Sequence, residues 1–138
     1  MKGKTNPKYH TVMLIDDNEI DNFIDEKLIK AFGFAEIVYV HSSAQSALEA
    51  LKDMASVQTD LPEKLIPKYV FLDINMPFLD GFNFLDQYDL LPANLKETIK
   101  IVMLTSSVNP VDSERAGQYA LVHKYFQKPL TENMLLQL

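Results

Sequence analysis

Apolar positions along this chain fall into two alternating rhythms. Residues 11–16, Thr-Val-Met-Leu-Ile-Asp, form an almost unbroken apolar run closed by an acid, which predicts a strand buried on both faces. Helical spacing follows: Ile20, Phe23, Ile24, Leu28 and Ala31 share one predicted face, Asn18 is placed to cap the start, and Gly33 to stop the end. A second strand is predicted at 36–40. Behind it comes a helix capped by Ser42 or Ser43, with Ala47, Leu48, Leu51, Met54 and Ala55 facing the core. Residues 56–68 carry two prolines and read as a long loop. The third strand is predicted at 69–73, Tyr-Val-Phe-Leu-Asp. A helix then begins near Asp80 and carries Phe84, Leu85 and Tyr88. The fourth strand is placed at 98–105, a helix follows with Pro110 in its first turn, the fifth strand lies at 124–127, and Thr131 caps a last helix.

Five strands alternating with five helices imply right-handed crossovers and one parallel sheet covered on both faces. A length of 138 residues suits a single domain with one fold, and no internal repeat or linker interrupts it. Residues 1–8 are polar and read as a flexible lead-in, with the domain proper at 9–138. The lead-in lacks the apolar centre of a signal peptide, and no apolar run approaches the ~20 residues that span a bilayer. A cytoplasmic location is therefore expected.

Charge and composition narrow the chemistry. Thirteen Lys+Arg against nineteen Asp+Glu leave a net charge of −6, which disfavours nucleic acid as the main partner. With no cysteine, disulfides, thiolate metal sites and a Cys nucleophile are excluded. His10, His41 and His123 are scattered and are assigned to strand ends and surface, not to ligands or bases. Phe78, Phe82 and Phe84 are assigned to packing, and Asp21, Asp25 and Glu26 to a solvated helix face.

Ligands of such sheets bind outside the carboxyl ends of the strands. The first predicted strand ends in Asp16-Asp17, the third in Asp73, the fourth in Thr105-Ser106-Ser107 and the fifth in Lys128-Pro129. Each feature alone has an ordinary explanation: a helix cap, a turn former, a loop proline. Together they put three carboxylates, a hydroxyl and an ammonium on one rim. Carboxylates ~4 Å apart repel by about 4 kcal/mol at an effective dielectric near 20, so such a cluster calls for a cation or a shared proton. Hard oxygen donors suit Mg²⁺. The set fits phosphoryl transfer to a carboxylate, with Lys128 and the metal neutralising phosphoryl oxygens and Thr105 donating to one of them.

The chain resembles a response-regulator receiver domain of two-component signalling. The resemblance rests on Leu-Ile-Asp-Asp-Asn at 14–18, on Asp73-Ile-Asn-Met-Pro-Phe-Leu-Asp-Gly81, on Met-Leu-Thr-Ser-Ser at 103–107 and on Tyr-Phe-Gln-Lys-Pro-Leu at 125–130, and it covers residues 9–138. It implies a flavodoxin-like, doubly wound α/β fold of strand order 2-1-3-4-5; the chemotaxis member of the family is a standard example of that order. It implies Asp73 as phosphoacceptor, Asp17 and Asp16 as Mg²⁺ ligands together with Asp73 and the backbone carbonyl of Asn75, and Thr105 and Lys128 as phosphoryl contacts. Thr105 and Tyr125 would form the switch pair, the Lys128–Pro129 bond would be cis, and Asn75 and Ser107 would set dephosphorylation rate. The implied partners are a histidine kinase or histidine phosphotransfer protein upstream and a protein target on the face made by the fourth predicted helix, fifth strand and fifth predicted helix. No contact with nucleic acid or membrane is expected, and the state would be a monomer or a phosphorylation-linked dimer, acting as a stand-alone receiver. Two departures stand out. Leu121-Val122 replaces the family's Gly-Ala pair, so the fourth predicted helix should end differently, and the last helix is short. Two rival readings remain: an unphosphorylated scaffold, which would not need the full acid, Thr and Lys set, and a phosphohydrolase. The latter would carry a second acid two residues after its nucleophile, where this chain has Asn75.

Overall fold

The structure is a computed structural model and describes residues 6–57 and 60–138. Five strands, β1 (Tyr9–Ile15), β2 (Ala35–His41), β3 (Tyr69–Leu72), β4 (Lys100–Thr105) and β5 (Val122–Gln127), pair in the order β2-β1-β3-β4-β5, every pair parallel. Parallel neighbours need crossovers, and helices α1 (Glu19–Ala31), α2 (Ala44–Ser56), α3 (Gly81–Tyr88), α4 (Ala93–Thr98) and α5 (Pro110–Gly117) supply them, while α6 (Glu132–Leu136) follows β5. This is the flavodoxin-like order expected from the sequence.

Because side chains alternate across a strand, the sheet builds two cores. Met13, Ile15, Val70, Leu72, Ile101 and Met103 face one side, where Leu48 and Leu51 of α2 and Phe84, Leu85 and Tyr88 of α3 cover them. Val12, Leu14, Tyr69, Phe71, Val102 and Leu104 face the other, under Ile29 of α1 and Leu135 of α6. β3 is buried at all four positions, which is why it reads as a continuous apolar run.

Helix starts follow the capping residues. Asn18, Ser43, Asp80, Asn109 and Thr131 each accept a backbone N–H of the first turn, and Pro110 occupies the first turn of α5. Gly33 adopts φ 76° just past α1, the left-handed conformation that terminates a helix at little cost. Residues 1–5, most of the predicted lead-in, lie outside the described residues; Lys8 donates its backbone N–H to Gly33 O at 2.8 Å.

The structure departs from the hydrophobic pattern in three places. The predicted core face of α1 is turned outward: Ile20, Phe23 and Ile24 are exposed, Ala31 is exposed and Leu28 half-buried, while Asn22, Asp25 and Ile29 are buried. Polar anchors set this rotation, since Asn18 caps the first turn and Asn22 Nδ2 donates to Asp16 O at 2.8 Å. Residues 93–98 form the unpredicted α4 behind Pro92, with Leu95 buried, so β4 starts at Lys100 and not at 98. Finally, Phe78 packs on nothing. It is fully exposed at φ 68°, whereas Phe82 and Phe84 are core residues.

Candidate functional site

The sheet's hydrogen bonding runs one residue past the strands and ends on the chemistry. Asp16 donates its backbone N–H to His41 O (3.1 Å), Asp73 to Ile15 O (3.0 Å) and Lys128 to Thr105 O (2.8 Å). The backbones that carry the two acids and the lysine are thus fixed by the ends of β2, β1 and β4, and their side chains meet at the carboxyl-end rim. Gly81 tightens the loop behind Asp73: its N–H donates to Ile74 O at 2.9 Å, and an added Cβ would lie 2.6 Å from Asp73 O and 2.9 Å from Ile74 Cα. Asp80 and Asn83 close the start of α3 with a reciprocal capping box, anchoring the far end of the same loop.

One carboxylate oxygen from each of Asp16, Asp17 and Asp73 lies within 4.8 Å of the other two. Asp16 and Asp73 are buried and Asp17 is exposed, which leaves the cluster open on one side. Asp16 Oδ1 accepts the Asn18 N–H at 2.9 Å. Asp73 Oδ1 is buried without a hydrogen-bond partner, a costly state for a carboxylate oxygen unless a ligand completes it. Burial raises the Asp73 carboxyl above the usual range, and the Asp16 charge raises it further; Lys128, the Thr105 hydroxyl and the Asn75 N–H act in the opposite direction. An all-oxygen, strongly anionic donor set with an orphaned buried oxygen fits a hard divalent cation such as Mg²⁺.

Lys128 Nζ sits inside this cluster at 2.6 Å from Asp16 Oδ2, 2.9 Å from Asp21 Oδ2 and 3.5 Å from Asp73 Oδ2. Burial disfavours its charge, yet the hydrogen bonds to Asp16 and Asp21 and the charges of Asp73 and Asp16 hold its pKa above the usual lysine value. It therefore stays cationic through the neutral range. The Lys128–Pro129 bond is cis.

Thr105 is fully buried at the end of β4 and its hydroxyl accepts the Ser107 N–H at 3.2 Å. Ser107 donates its own hydroxyl to Asp112 Oδ2 at 2.6 Å and accepts the Asn109 N–H at 3.2 Å. Tyr125, half-buried on β5 opposite Met103, keeps its hydroxyl below the surface without a partner. Burial raises its pKa, and the Asp112 charge adds to this. Asn75 is exposed two residues beyond Asp73.

Asp16, Asp17, Asp73 and Lys128 thus converge directly, with Thr105 beside Asp73 and Tyr125 one strand away. His10 and His123 are on strands away from the cluster, and His41 ends β2 next to Asp16, where its carbonyl accepts the Asp16 N–H and its ring pairs with the Ser46 hydroxyl at 2.8 Å. Three participants carry no sequence signal of their own. Asp21 and Asp25, assigned to a solvated face, are respectively ion-paired to Lys128 and buried; only Glu26 matches that assignment, pairing with Lys30 at 3.0 Å. Asn22 lines, with Asp16, Asp25 and Asp73, a small cavity of about 10 Å³ behind the rim.

Comparison with known proteins agrees with this geometry. The family model for the response regulator receiver domain matches residues 12–138. A two-component response regulator from Cytophaga hutchinsonii superposes with a TM-score of 0.82 at 28% identity, over 94% of this chain and 92% of that one. The receiver domain of a sensor histidine kinase from Pseudomonas aeruginosa, whose structure has a magnesium ion coordinated in the active-site cleft, shares the fold at 19% identity, TM-score 0.71, over 94% and 93% of the two chains. The sensor histidine kinase CheAY of Helicobacter pylori is 26% identical over 134 residues, 97% of this chain; the chain spans 15% of that kinase's length. Among the described residues no helix is long and apolar enough to cross a membrane. The family model covers nearly the whole chain and the fold is that of a solved response regulator, so this chain belongs to the response regulator receiver domains of two-component systems.

Proposed function

We propose that the chain is a phosphorylation-controlled switch that accepts a phosphoryl group on Asp73 from a histidine kinase or histidine phosphotransfer protein. The observation that carries this reading is the convergence of Asp16, Asp17 and Lys128 on the buried Asp73 carboxylate, whose Oδ2 faces Lys128 at 3.5 Å while its Oδ1 has no hydrogen-bond partner. An Asp73 oxygen forms the new O–P bond while the donor's N–P bond, or the O–P bond of acetyl phosphate, breaks and its electron pair leaves with the donor. Mg²⁺, held by Asp16, Asp17, Asp73 and the Asn75 carbonyl, would neutralise charge on the transferring group. Lys128 neutralises a further phosphoryl oxygen. Thr105 gives up its position under the Ser107 N–H to donate its hydroxyl to another, and the Tyr125 ring follows into the space released.

The face made by α5, β5 and α6 then presents a changed surface to a protein target. Asn75 and Ser107 border the route of an attacking water and set the lifetime of the phosphorylated state. The chemistry serves the chain's own Asp73 and turns over no external substrate, because Asn75 stands where a phosphohydrolase needs its second acid. Incubation with Mg²⁺ and acetyl phosphate tests this: the protein should take up one phosphoryl group per chain while free phosphate rises only slowly. Release of many equivalents per minute would instead establish a hydrolase.

A further inference from the structure

Lys128 has three N–H donors, and all three are engaged: Asp16 at 2.6 Å, Asp21 at 2.9 Å and Asp73 at 3.5 Å. The longest of these contacts is the one to the phosphoacceptor. Asp21 is an acid of α1 that no strand end supplies, and it is placed firmly, because its backbone N–H is bound by the Asn18 cap at 3.0 Å. A phosphoryl oxygen on Asp73 needs a lysine N–H that is not free. The side chains of Asp16 and Asp73 are 7% and 5% exposed, so stripping either of its cation leaves a carboxylate unpaired in a poorly hydrated place. The Asp21 side chain is 35% exposed and can be rehydrated when it lets go. Asp21 is therefore the partner released most cheaply.

From this geometry we infer that Asp21 is a positioning residue that restrains Lys128 in the resting state and competes with the phosphoryl group for it. Resting on the proposed role of Asp73, this adds a term that opposes switching: each phosphorylation exchanges the Lys128–Asp21 ion pair for a Lys128–phosphoryl contact. The ion pair also ties α1 to the segment beyond β5, so occupancy of Asp73 loosens that tie.

The test is the affinity for beryllofluoride, a phosphoryl mimic, at saturating Mg²⁺, compared across wild type, Asp21→Asn and Glu19→Gln. Glu19 is an exposed acid in the same turn of α1 and serves as a control for general removal of negative charge. Asp21→Asn should tighten binding roughly two- to five-fold, the fold-change that a partly exposed ion pair can hold back, and Glu19→Gln should change it less. A gain in affinity cannot come from a damaged fold. Unchanged or weaker binding by Asp21→Asn, or equal gains from the two variants, would overturn the inference while leaving the Asp73 reading intact. A wild-type protein that takes up no beryllofluoride in Mg²⁺ would overturn both.

Discussion

At the scale of single residues, Asp25 shows how an acid can sit in the core of this fold. It occupies the inner face of α1, and its pKa is raised from 3.8 to about 6, first by burial and then by the Asp21 charge. An acid whose folded pKa exceeds its unfolded value binds its proton more tightly in the native state. Its contribution is therefore fully favourable below 3.8 and is lost as pH rises, with the loss complete once pH has passed about 6. The size of that loss is on the order of 3 kcal/mol. Asp25→Asn keeps the shape and removes the ionisation. Urea unfolding of the two proteins from pH 3.5 to 8 should show a stability gap in favour of the variant that opens above pH ~4 and levels off beyond ~6. A gap that is the same at every pH would contradict the assignment of a buried, proton-holding acid.

At the scale of elements, the loop from Asp73 to α3 is the most tightly specified segment. Gly81 presses against the backbone of Asp73 and Ile74, and a methyl group there meets main-chain atoms that cannot swing away. Gly81→Ala should lower unfolding stability by roughly 1–3 kcal/mol, read from the urea midpoint. Because the strain falls on the Asp73 carbonyl, it should also slow phosphorylation. An alanine variant as stable as wild type would show that the loop has room.

The same elements explain what was legible in the sequence. Asp16, Asp73 and Thr105 could be placed on one rim because each closes an apolar run, Lys128 because it follows the short strand at 124–127, and a parallel sheet brings all such ends together. Capping residues were legible for the same local reason. The rotation of α1 was not. Ile20, Phe23 and Ile24 mark one face by periodicity, but the hydrogen bond from Asn22 to Asp16 and the ion pair of Asp21 turn the opposite face inward. The Asp21–Lys128 pair joins residues far apart in the chain, which no window of sequence contains, and the Asn22–Asp16 hydrogen bond, though local, leaves no mark in the hydrophobic period. α4 escaped because six residues with one buried leucine carry no period.

At the scale of the whole molecule, three carboxylates, Asp16, Asp21 and Asp73, contact the Lys128 ammonium, and Asp17 joins Asp16 and Asp73, at the mouth of a sheet that is otherwise apolar on both faces. The fold holds this excess of negative charge at one rim, where a divalent cation would offset it. Moving a two-state surface from about 1:99 to 99:1 takes ~5.5 kcal/mol of differential stabilisation. Under the proposed function, new contacts from Thr105, Lys128 and a metal to one phosphoryl group would have to supply stabilisation of that order over what the Asp21 ion pair would withhold. The central claim is that Asp73 is where this happens. It is tested most directly by intact mass after incubation with acetyl phosphate, for wild type and Asp73→Asn, each with Mg²⁺ and with EDTA. A gain of one phosphoryl group in wild type with Mg²⁺, and none in the other three samples, is the predicted result. An equal gain in Asp73→Asn, or in wild type with EDTA, would contradict it.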